Sequence, residues 1–271
     1  MSKTQINKPR LFFDTNILEP LLSLFGESSI RKLFRSIHDQ YAYVTSPLTV
    51  TELMDGIQNG DPQYFGKDKR KADLLLPFSY TRVLALPKGF ILKSVLNREI
   101  KESRRFKIAL DWTLRALTRD ELQAFDVPER STSKTGGADL KRFSNDILLG
   151  KQEHIDIYNN LRQGELFRPD AREWVVESFR PDSFTPLDTG KMVVALDAAY
   201  RMNIYLCDNA KNSSYKFEKR SSDWIDIQQL FYLADPLMRM VTNDTDFHRR
   251  IGDCEAAERI FTLDHLLQSL G

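Results

Sequence analysis

The chain has 271 residues, of which 41% are hydrophobic and 28% are charged, and its net charge is +1. This is an ordinary composition for a globular protein, and the length allows one large domain or a core with an insertion. The polar start MSKTQINKPR lacks a signal-peptide apolar run, and no segment of ~18 apolar residues is present to span a bilayer. We therefore expect a cytoplasmic protein that has no membrane partner. Cys207 and Cys254 form no metal-binding pattern, so a zinc site or a disulfide framework is not indicated.

The first sixty residues alternate between strands and helices. The predicted elements are a strand at Leu11–Phe13, helical sequence over Ile17–His38 broken near Gly26–Ser29, a strand at Ala42–Thr45 and a helix at Thr49–Gln58. Strand, helix, strand is the pattern of an α/β unit with parallel strands.

Residues 61–184 have a different character, mostly helical and partly basic. The predicted elements are a strand at Arg82–Leu86, a helical stretch over Ile91–Leu122 and helices at Asp139–Leu149, Glu153–Arg162 and Asp170–Phe179. Within residues 61–110, twelve Lys and Arg stand against five Asp and Glu, a local charge of +7. This charge suits a surface that binds a polyanion, and solvated helix faces explain it equally well.

From about residue 185 the alternating pattern returns. The predicted elements are helices at Lys191–Met202 and Asp223–Leu233, a short apolar run at Ile204–Cys207, strands at Arg239–Thr242 and Arg259–Leu263, and a terminal helix from Asp264. We therefore interpret residues 1–60 and 185–271 as one discontinuous α/β core, and residues 61–184 as a mostly helical basic insertion.

Acidic residues stand where strands end or helices begin. Asp14 follows the first strand, Glu52 and Asp226 lie in first turns of helices, and Asp244 follows the strand that ends at Thr242. If the strands are parallel, these carboxylates converge at the carboxyl edge of the sheet, where α/β proteins bind ligands. Crowded carboxylates without compensating basic residues repel each other unless a divalent cation neutralises them. Oxygen ligands alone select Mg²⁺ or Mn²⁺, the ions that assist phosphodiester hydrolysis.

Each acidic position also has a purely structural explanation. Asp14 can cap the helix that follows it, and Glu52 can close a capping box with Thr49. Asp226 can interact favourably with its helix dipole, and Asn243–Asp246 can form an Asx-type turn. Each alternative explains one position, whereas a single site explains all four together.

The segments LFFDTNIL, SPLTVTEL, DWIDIQQLFYLAD, MVTNDTDF and RIFTLDHLL resemble the PIN-domain family of metal-dependent nucleases. The resemblance covers residues 9–58 and 190–268 and leaves the insertion uncovered. It implies a three-layer sandwich of helices around a central parallel sheet of four to five strands. It also implies Mg²⁺ or Mn²⁺ as cofactor and single-stranded RNA as the usual substrate.

By position, the resemblance implies that the metal-binding, catalytic acids are Asp14, Glu52, Asp226 and Asp244. Asn16, Thr242 and Asp246 are implied as supporting groups that hold waters or orient the carboxylates, and Asp246 also counts among the metal ligands. Asp223 is an alternative third acid, and we favour Asp226 because it precedes an apolar helix face at the spacing seen in the family. A metal-activated water then attacks phosphorus without a covalent enzyme intermediate.

The insertion supplies the candidates for nucleic-acid contact. These are Lys69, Arg70, Lys71, Arg98, Arg104 and Arg105. The sequence leaves open whether RNA or DNA is cut, whether cutting is internal, and whether the chain forms a homodimer or binds another protein.

Two other functions deserve comparison with a nuclease. A phosphatase of the haloacid dehalogenase type also begins with Asp after an apolar strand, but it needs a second Asp where Asn16 stands. A non-catalytic PIN-like protein that binds nucleic acid or assists assembly would keep the acids as caps and use the basic insertion instead.

Overall fold

The computed structural model describes residues 8–59, 70–72, 74–75, 83–98, 137–163, 169–179, 184–210, 212, 214–220 and 222–270. The described strands are β1 (Arg10–Phe13), β2 (Ala42–Tyr43), β3 (Met238–Val241) and β4 (Ile260–Phe261). The described α-helices are α1 (Thr15–Leu24), α2 (Glu27–Gln40), α3 (Pro47–Asn59), α4 (Pro87–Ser94), α5 (Gly137–Gln163), α6 (Ala171–Phe179), α7 (Pro186–Ala195), α8 (Asp197–Asn209), α9 (Ser222–Leu230), α10 (Asp246–Ile251) and α11 (Leu263–Leu270). Short 3₁₀ helices lie at Phe217–Lys219, Phe231–Ala234 and Ala257–Arg259.

The described strands form one parallel sheet in the order β2-β1-β3-β4. Phe12 lies opposite Met240 and Phe13 opposite Val241, so β1 and β3 end at the same level. The sheet confirms the predicted α/β class with parallel strands joined by helices, and the arrangement is compatible with a three-layer sandwich.

β1 is a strand because its side chains are apolar on both faces, as parallel sheets covered by helices require. Leu11, Phe12 and Phe13 are all fully buried. The Phe12 ring packs edge-on against Tyr232, and the Phe13 ring packs against Tyr43. This burial fixes the position of the strand, and hence of the residue that follows it.

The strand order creates a topological switch point between β1 and β3. From β1 the chain passes through α1 and α2 to β2 on one side, while β3 pairs on the other side and leads outward to β4. In open α/β sheets such a point opens a crevice at the carboxyl ends of the two strands, which is where ligands bind. Asp14 and Thr242 are the first residues beyond these two ends.

Three predictions for individual elements are wrong. The single helix predicted at Lys191–Met202 is divided at Leu196, because α7 ends at Ala195 and α8 begins at Asp197. Ile204–Cys207 lies inside α8 and forms no separate segment, because Leu206 and Cys207 are buried on that helix. The expected break near Gly150 is absent, and α5 continues through it. At Gly150 the missing side chain lets α5 approach Trp224 closely.

Helices of the middle region pack directly on the elements around the sheet. The Phe90 ring of α4 lies 5.1 Å from the Tyr232 ring, and the Trp174 ring of α6 lies 6.1 Å from the Phe231 ring. From the predicted strand at Arg82–Leu86, Val83 forms a single parallel bridge with Thr45. The division into a core and an insertion stays a prediction, since all of residues 99–136 lie outside the described part.

None of the helices in the described part combines the length and the apolar character needed to cross a membrane.

Candidate active site

Asp14 is held at the end of β1 by donors from three parts of the chain. Its Oδ1 accepts hydrogen bonds from the Thr15 backbone N–H (2.7 Å) and from Gln229 Nε2 (3.1 Å), and its Oδ2 accepts one from Thr242 Oγ1 (2.8 Å). Asp14 therefore caps α1, as the structural alternative proposed, while it also joins β1 to α9 and β3. The carboxylate is 6% exposed and its orientation is fixed.

The environment of Asp14 works against its negative charge despite these bonds. Burial raises the pKa of Asp14, the hydrogen bonds from Gln229, Thr242 and Thr15 lower it, and the Asp244 charge raises it. The net direction is upward. A buried carboxylate with a raised pKa near other acids is typical of a functional site.

Asn16 and Thr242 form a polar bridge between the two strand ends. Thr242 Oγ1 accepts hydrogen bonds from Asn16 Nδ2 (3.0 Å) and from the Asp244 N–H (3.1 Å) while it donates to Asp14. Asn16 Oδ1 accepts from the Asn243 N–H at 2.9 Å. The two side chains thus lie where supporting groups for the acids were predicted.

Glu52 approaches the same edge from α3 and accepts a short hydrogen bond from the Thr15 hydroxyl. The capping-box alternative for this residue is wrong. The helix begins at Pro47, and Ser46 Oγ accepts a hydrogen bond from the Leu48 N–H. Thr49 instead donates to the Phe13 carbonyl at 3.0 Å, which ties α3 to the end of β1.

The two candidates for the third acid differ in their surroundings. Asp223 is fully buried and accepts a short hydrogen bond from the Tyr215 hydroxyl. The pKa of Asp226 is raised well above its usual range, first by burial and then by the charges of Asp14 and Asp223, with Glu52 adding to the effect and Arg250 opposing it. Asp226 is thus electrostatically coupled to Asp14 and Glu52, which favours it over Asp223.

Asp244 and Asp246 belong to the turn after β3. Asp244 Oδ1 accepts a hydrogen bond from the Asp246 N–H at 2.8 Å, which is the Asx-type turn that the structural alternative proposed. The Asp246 carboxylate is 43% exposed and pairs with Arg249 at 2.9 Å. Asp244 therefore faces the acidic cluster, and Asp246 lies at its solvent edge.

Arg250, like Gln229, is a residue of the site that the sequence analysis missed. Its Nη1 lies 3.3 Å from Asp226 Oδ2, 3.3 Å from Asp244 Oδ2 and 3.6 Å from Asp223 Oδ1. Nη2 lies 3.8 Å from Asp246 Oδ2. The guanidinium is buried, and although burial lowers its pKa, the charges of Asp244, Asp223 and Asp226 raise it on balance.

The expectation that no basic residue compensates the acids is therefore wrong. In FHRRI, Arg250 looks like one of several cations at the end of a surface helix, which is the usual place for them. The available signal was its spacing from Asp246, since residues four apart share a helix face.

The oxygen atoms of these side chains are the ligand type that a hard divalent cation prefers. Their arrangement is not that of a complete metal site. Within the described ranges, no group of three or more His, Cys, Asp or Glu is arranged to hold a metal ion. Asp14, Glu52 and Asp226 nevertheless offer only oxygen ligands, and after burial the charges of Asp14 and Glu52 are among the causes that raise the pKa of Asp226.

The predicted nucleic-acid contacts are only partly described. Lys71 forms an ion pair with Glu19 at 3.7 Å, Arg98 pairs with Asp188 at 3.0 Å, and Arg70 is exposed. Lys69, Arg104 and Arg105 lie outside the described residues.

Comparison of the chain with protein-family models, with curated proteins and with solved structures finds no match.

Proposed function

We propose that the protein is a PIN-like, metal-dependent nuclease that hydrolyses phosphodiester bonds, with single-stranded RNA as its substrate. The observation that carries the proposal is the arrangement of acids at the switch point of the sheet: Thr242 and Gln229 bond to Asp14, Thr15 bonds to Glu52, and Arg250 contacts Asp226 and Asp244. These acids come from distant parts of the chain. Helix capping explains Asp14, but it gives no reason for Thr15, Gln229 and Thr242 to hold the Asp14 and Glu52 carboxylates at one edge of the sheet.

Under this proposal Asp14, Glu52, Asp226 and Asp244 hold Mg²⁺ or Mn²⁺, and Asp246 borders the site. When bound, the ion supplies Lewis-acid activation of water and neutralises charge on the phosphate. The residues of the chain itself hold and orient the carboxylates that would bind the ion.

The chain holds the Asp14 carboxylate in a fixed orientation. The Thr15 N–H, Gln229 and Thr242 all donate to it, and donors stabilise the charged form of a carboxylate. The Thr15 hydroxyl orients Glu52 in the same way. Groups that orient ligands in this manner commonly contribute to metal affinity.

Two observations support nucleic acid as the substrate class. The resemblance to PIN domains points to single-stranded RNA, and the local charge of +7 over residues 61–110 supplies attraction for phosphates. The proposed contacts remain Lys69, Arg70, Lys71, Arg98, Arg104 and Arg105.

A non-catalytic, nucleic-acid-binding or assembly protein is the second candidate. Arg250 favours it, because a buried guanidinium already neutralises part of the acidic cluster. In that case the acids act as caps and ion-pair partners, and the basic region alone carries the function.

Cleavage of end-labelled single-stranded RNA and DNA of the same sequence distinguishes the candidates. The purified protein is incubated with Mn²⁺, Mg²⁺ or EDTA beside the Asp14→Asn variant. We expect the RNA to be cut with metal and to stay intact in EDTA and with the variant. RNA binding without cutting under any metal would refute the nuclease and favour the second candidate.

A further inference from the structure

The segment that leads into α9 carries three exposed basic side chains, Lys216, Lys219 and Arg220. We call these three residues the basic patch. In the part of the chain that the structure describes, none of them pairs with a carboxylate. The predicted contacts Lys71 and Arg98, in contrast, already form ion pairs with acids of the chain. The charges of the basic patch are therefore available to an external anion.

Buried aromatic rings hold the backbone of this segment in place. Phe217 is fully buried, and its ring stacks on the Tyr158 ring of α5 with 4.9 Å between the ring centres. The same ring packs against the buried Tyr215 ring at 4.8 Å. Lys216 lies between these two anchored residues. A backbone that is already held lowers the cost of ordering the basic side chains when they bind a ligand.

Arg220 connects the basic patch to the acidic cluster. Its guanidinium carbon lies 4.7 Å from the centre of the Tyr215 ring, and its carbonyl accepts a hydrogen bond from the Asp223 N–H at 2.9 Å. The Tyr215 hydroxyl donates in turn to the Asp223 carboxylate, and Asp223 Oδ1 lies 3.6 Å from Arg250 Nη1. A continuous series of contacts thus runs from the patch to the guanidinium among the acids.

A basic surface in this position answers an electrostatic problem of the site. Carboxylates repel the phosphates of an approaching nucleic-acid strand, so the strand has to be held by positive charges beside them. An arginine stacked on an aromatic ring suits this task, because its planar guanidinium also binds phosphate oxygens. Separate cations along one segment suit a chain of phosphates, and such contacts position a strand without reading its sequence.

We propose that the basic patch binds the phosphates of single-stranded RNA and holds the strand beside the acidic cluster. The proposal rests on the proposed function for its substrate. It adds contacts near the carboxyl-terminal acids of the site, outside the basic region at residues 61–110. Lys216, Lys219 and Arg220 each neutralise a phosphate, and the protein releases the cations that were condensed on the RNA.

Binding of a fluorescein-labelled polyuridine strand in EDTA tests this proposal without any cleavage. Fluorescence anisotropy gives the dissociation constant at a series of KCl concentrations for the full-length protein. The test variant combines Lys216→Gln, Lys219→Gln and Arg220→Gln.

The matched control removes the same amount of charge elsewhere on the surface. It changes three exposed basic residues of α2 to glutamine: Arg31, Lys32 and Arg35. Like the basic patch, these residues pair with no carboxylate within the described ranges. Their helix packs on β2 at the edge of the sheet, where the Phe34 ring contacts the Tyr43 ring.

We expect the test variant to bind the RNA at least about tenfold more weakly than the wild type at ~0.1 M KCl, and the control to bind like the wild type. The slope of log affinity against log salt should become shallower by about 2, since each phosphate contact on a single strand contributes about 0.7 to it. Circular dichroism melting shows whether the test variant is folded. If it does not fold, the three single substitutions decide, each with an expected change in slope of about 0.7.

An unchanged affinity and slope in the test variant would overturn the proposal, and so would equal losses in the test and control variants. Absence of RNA binding by the wild type would overturn it as well. The cleavage assay separates these failures from that of the proposed function. Metal-dependent cutting by the wild type with unaltered binding by the test variant rejects the patch and keeps the nuclease. Weakened binding by the test variant without cutting by the wild type keeps the patch and rejects the nuclease.

Discussion

Thr242 donates a 2.8 Å hydrogen bond to Asp14, which joins two side chains that lie 228 positions apart in the sequence. The bond connects the carboxyl ends of β1 and β3, and the same hydroxyl accepts hydrogen bonds from Asn16 and from the Asp244 N–H. One hydroxyl therefore organises the switch point of the sheet, and its removal should affect stability and the acidic site together.

Thr242→Val removes this hydroxyl and keeps the shape of the side chain. The buried carboxylate of Asp14 loses a donor, so we expect the free energy of unfolding to fall by about 2 kcal/mol. Urea denaturation at neutral pH measures the change.

Thr51→Val is the matched control for this substitution. Thr51 is also buried, but its hydroxyl donates to the Pro47 carbonyl within its own helix at 2.9 Å. Such bonds add little to helix stability, so this variant should change the free energy of unfolding by less than about 1 kcal/mol. Equal losses for both variants would contradict a special role of Thr242.

Gly150→Ala tests the contact between α5 and α9. A Cβ at this position would lie 2.4 Å from Cζ2 of the Trp224 ring, so the helices have to separate or the ring has to move. We expect a loss of about 1–3 kcal/mol in the free energy of unfolding, as for other overpacked contacts. Thermal or urea denaturation measures it.

Gly190→Ala is the matched control at another helical glycine, and we expect the opposite effect on the free energy of unfolding. Gly190 lies inside α7, and a Cβ there meets nothing within 4 Å. Alanine is favoured over glycine in a helix interior, so this variant should gain about 0.5–1 kcal/mol. No loss at Gly150 would show that α5 and α9 are not packed as described, and a loss at Gly190 would show that its surroundings in α7 are not open.

Asp226→Asn tests the crowding of the acids through its pH dependence. The pKa of Asp226 in the folded protein is raised well above that in the unfolded chain, chiefly by burial and by the Asp14 charge. Between the unfolded pKa and the raised one, the folded protein holds a proton that the unfolded chain has released. The stability of the wild type therefore decreases as the pH rises through this window.

The asparagine variant lacks this titration. Its stability should match that of the wild type most closely near pH 4 and should exceed it increasingly towards about pH 8 in EDTA. Urea denaturation across this range checks the trend. A variant that is less stable than the wild type at pH 8 would show that pairing with Arg250 outweighs the repulsion from Asp14 and Glu52.

The parts of the fold that depend on local pattern were predictable. Three apolar residues followed by Asp14 indicated a buried strand that ends in a carboxylate, and the alternation of strands and helices indicated parallel pairing. The supporting positions of Asn16 and Thr242 followed from the resemblance to PIN domains. In contrast, the start of α3 was misplaced, because Thr49 had two possible partners and the tertiary one, the Phe13 carbonyl, prevailed.

Arg250 and Gln229 were not predictable from local pattern. Gln229 lies in a helix of mixed polar and apolar residues, and only the packing of α9 against the end of β1 shows that its amide bonds to Asp14. Arg250 resembles its neighbour Arg249 in the sequence, yet one is buried among carboxylates and the other is exposed. Burial of a charged side chain depends on tertiary structure, which composition and spacing do not report.

A comparison of two helix-capping aspartates tests the proposed active site most directly. Asp14 caps α1, and Asp170 precedes α6 and accepts hydrogen bonds from the Arg172 and Glu173 N–H groups. Asparagine caps helices as well as aspartate does, so Asp14→Asn and Asp170→Asn make the same chemical change in similar local settings.

The measurement is the single-turnover rate of RNA cleavage at saturating Mn²⁺ for the wild type and both variants. We expect Asp14→Asn to lower the rate by about 100-fold or more, because it removes a metal ligand, and Asp170→Asn to leave it unchanged. Equal rates for the two variants, or no metal-dependent cleavage by the wild type, would contradict the assignment of the acidic edge as the active site.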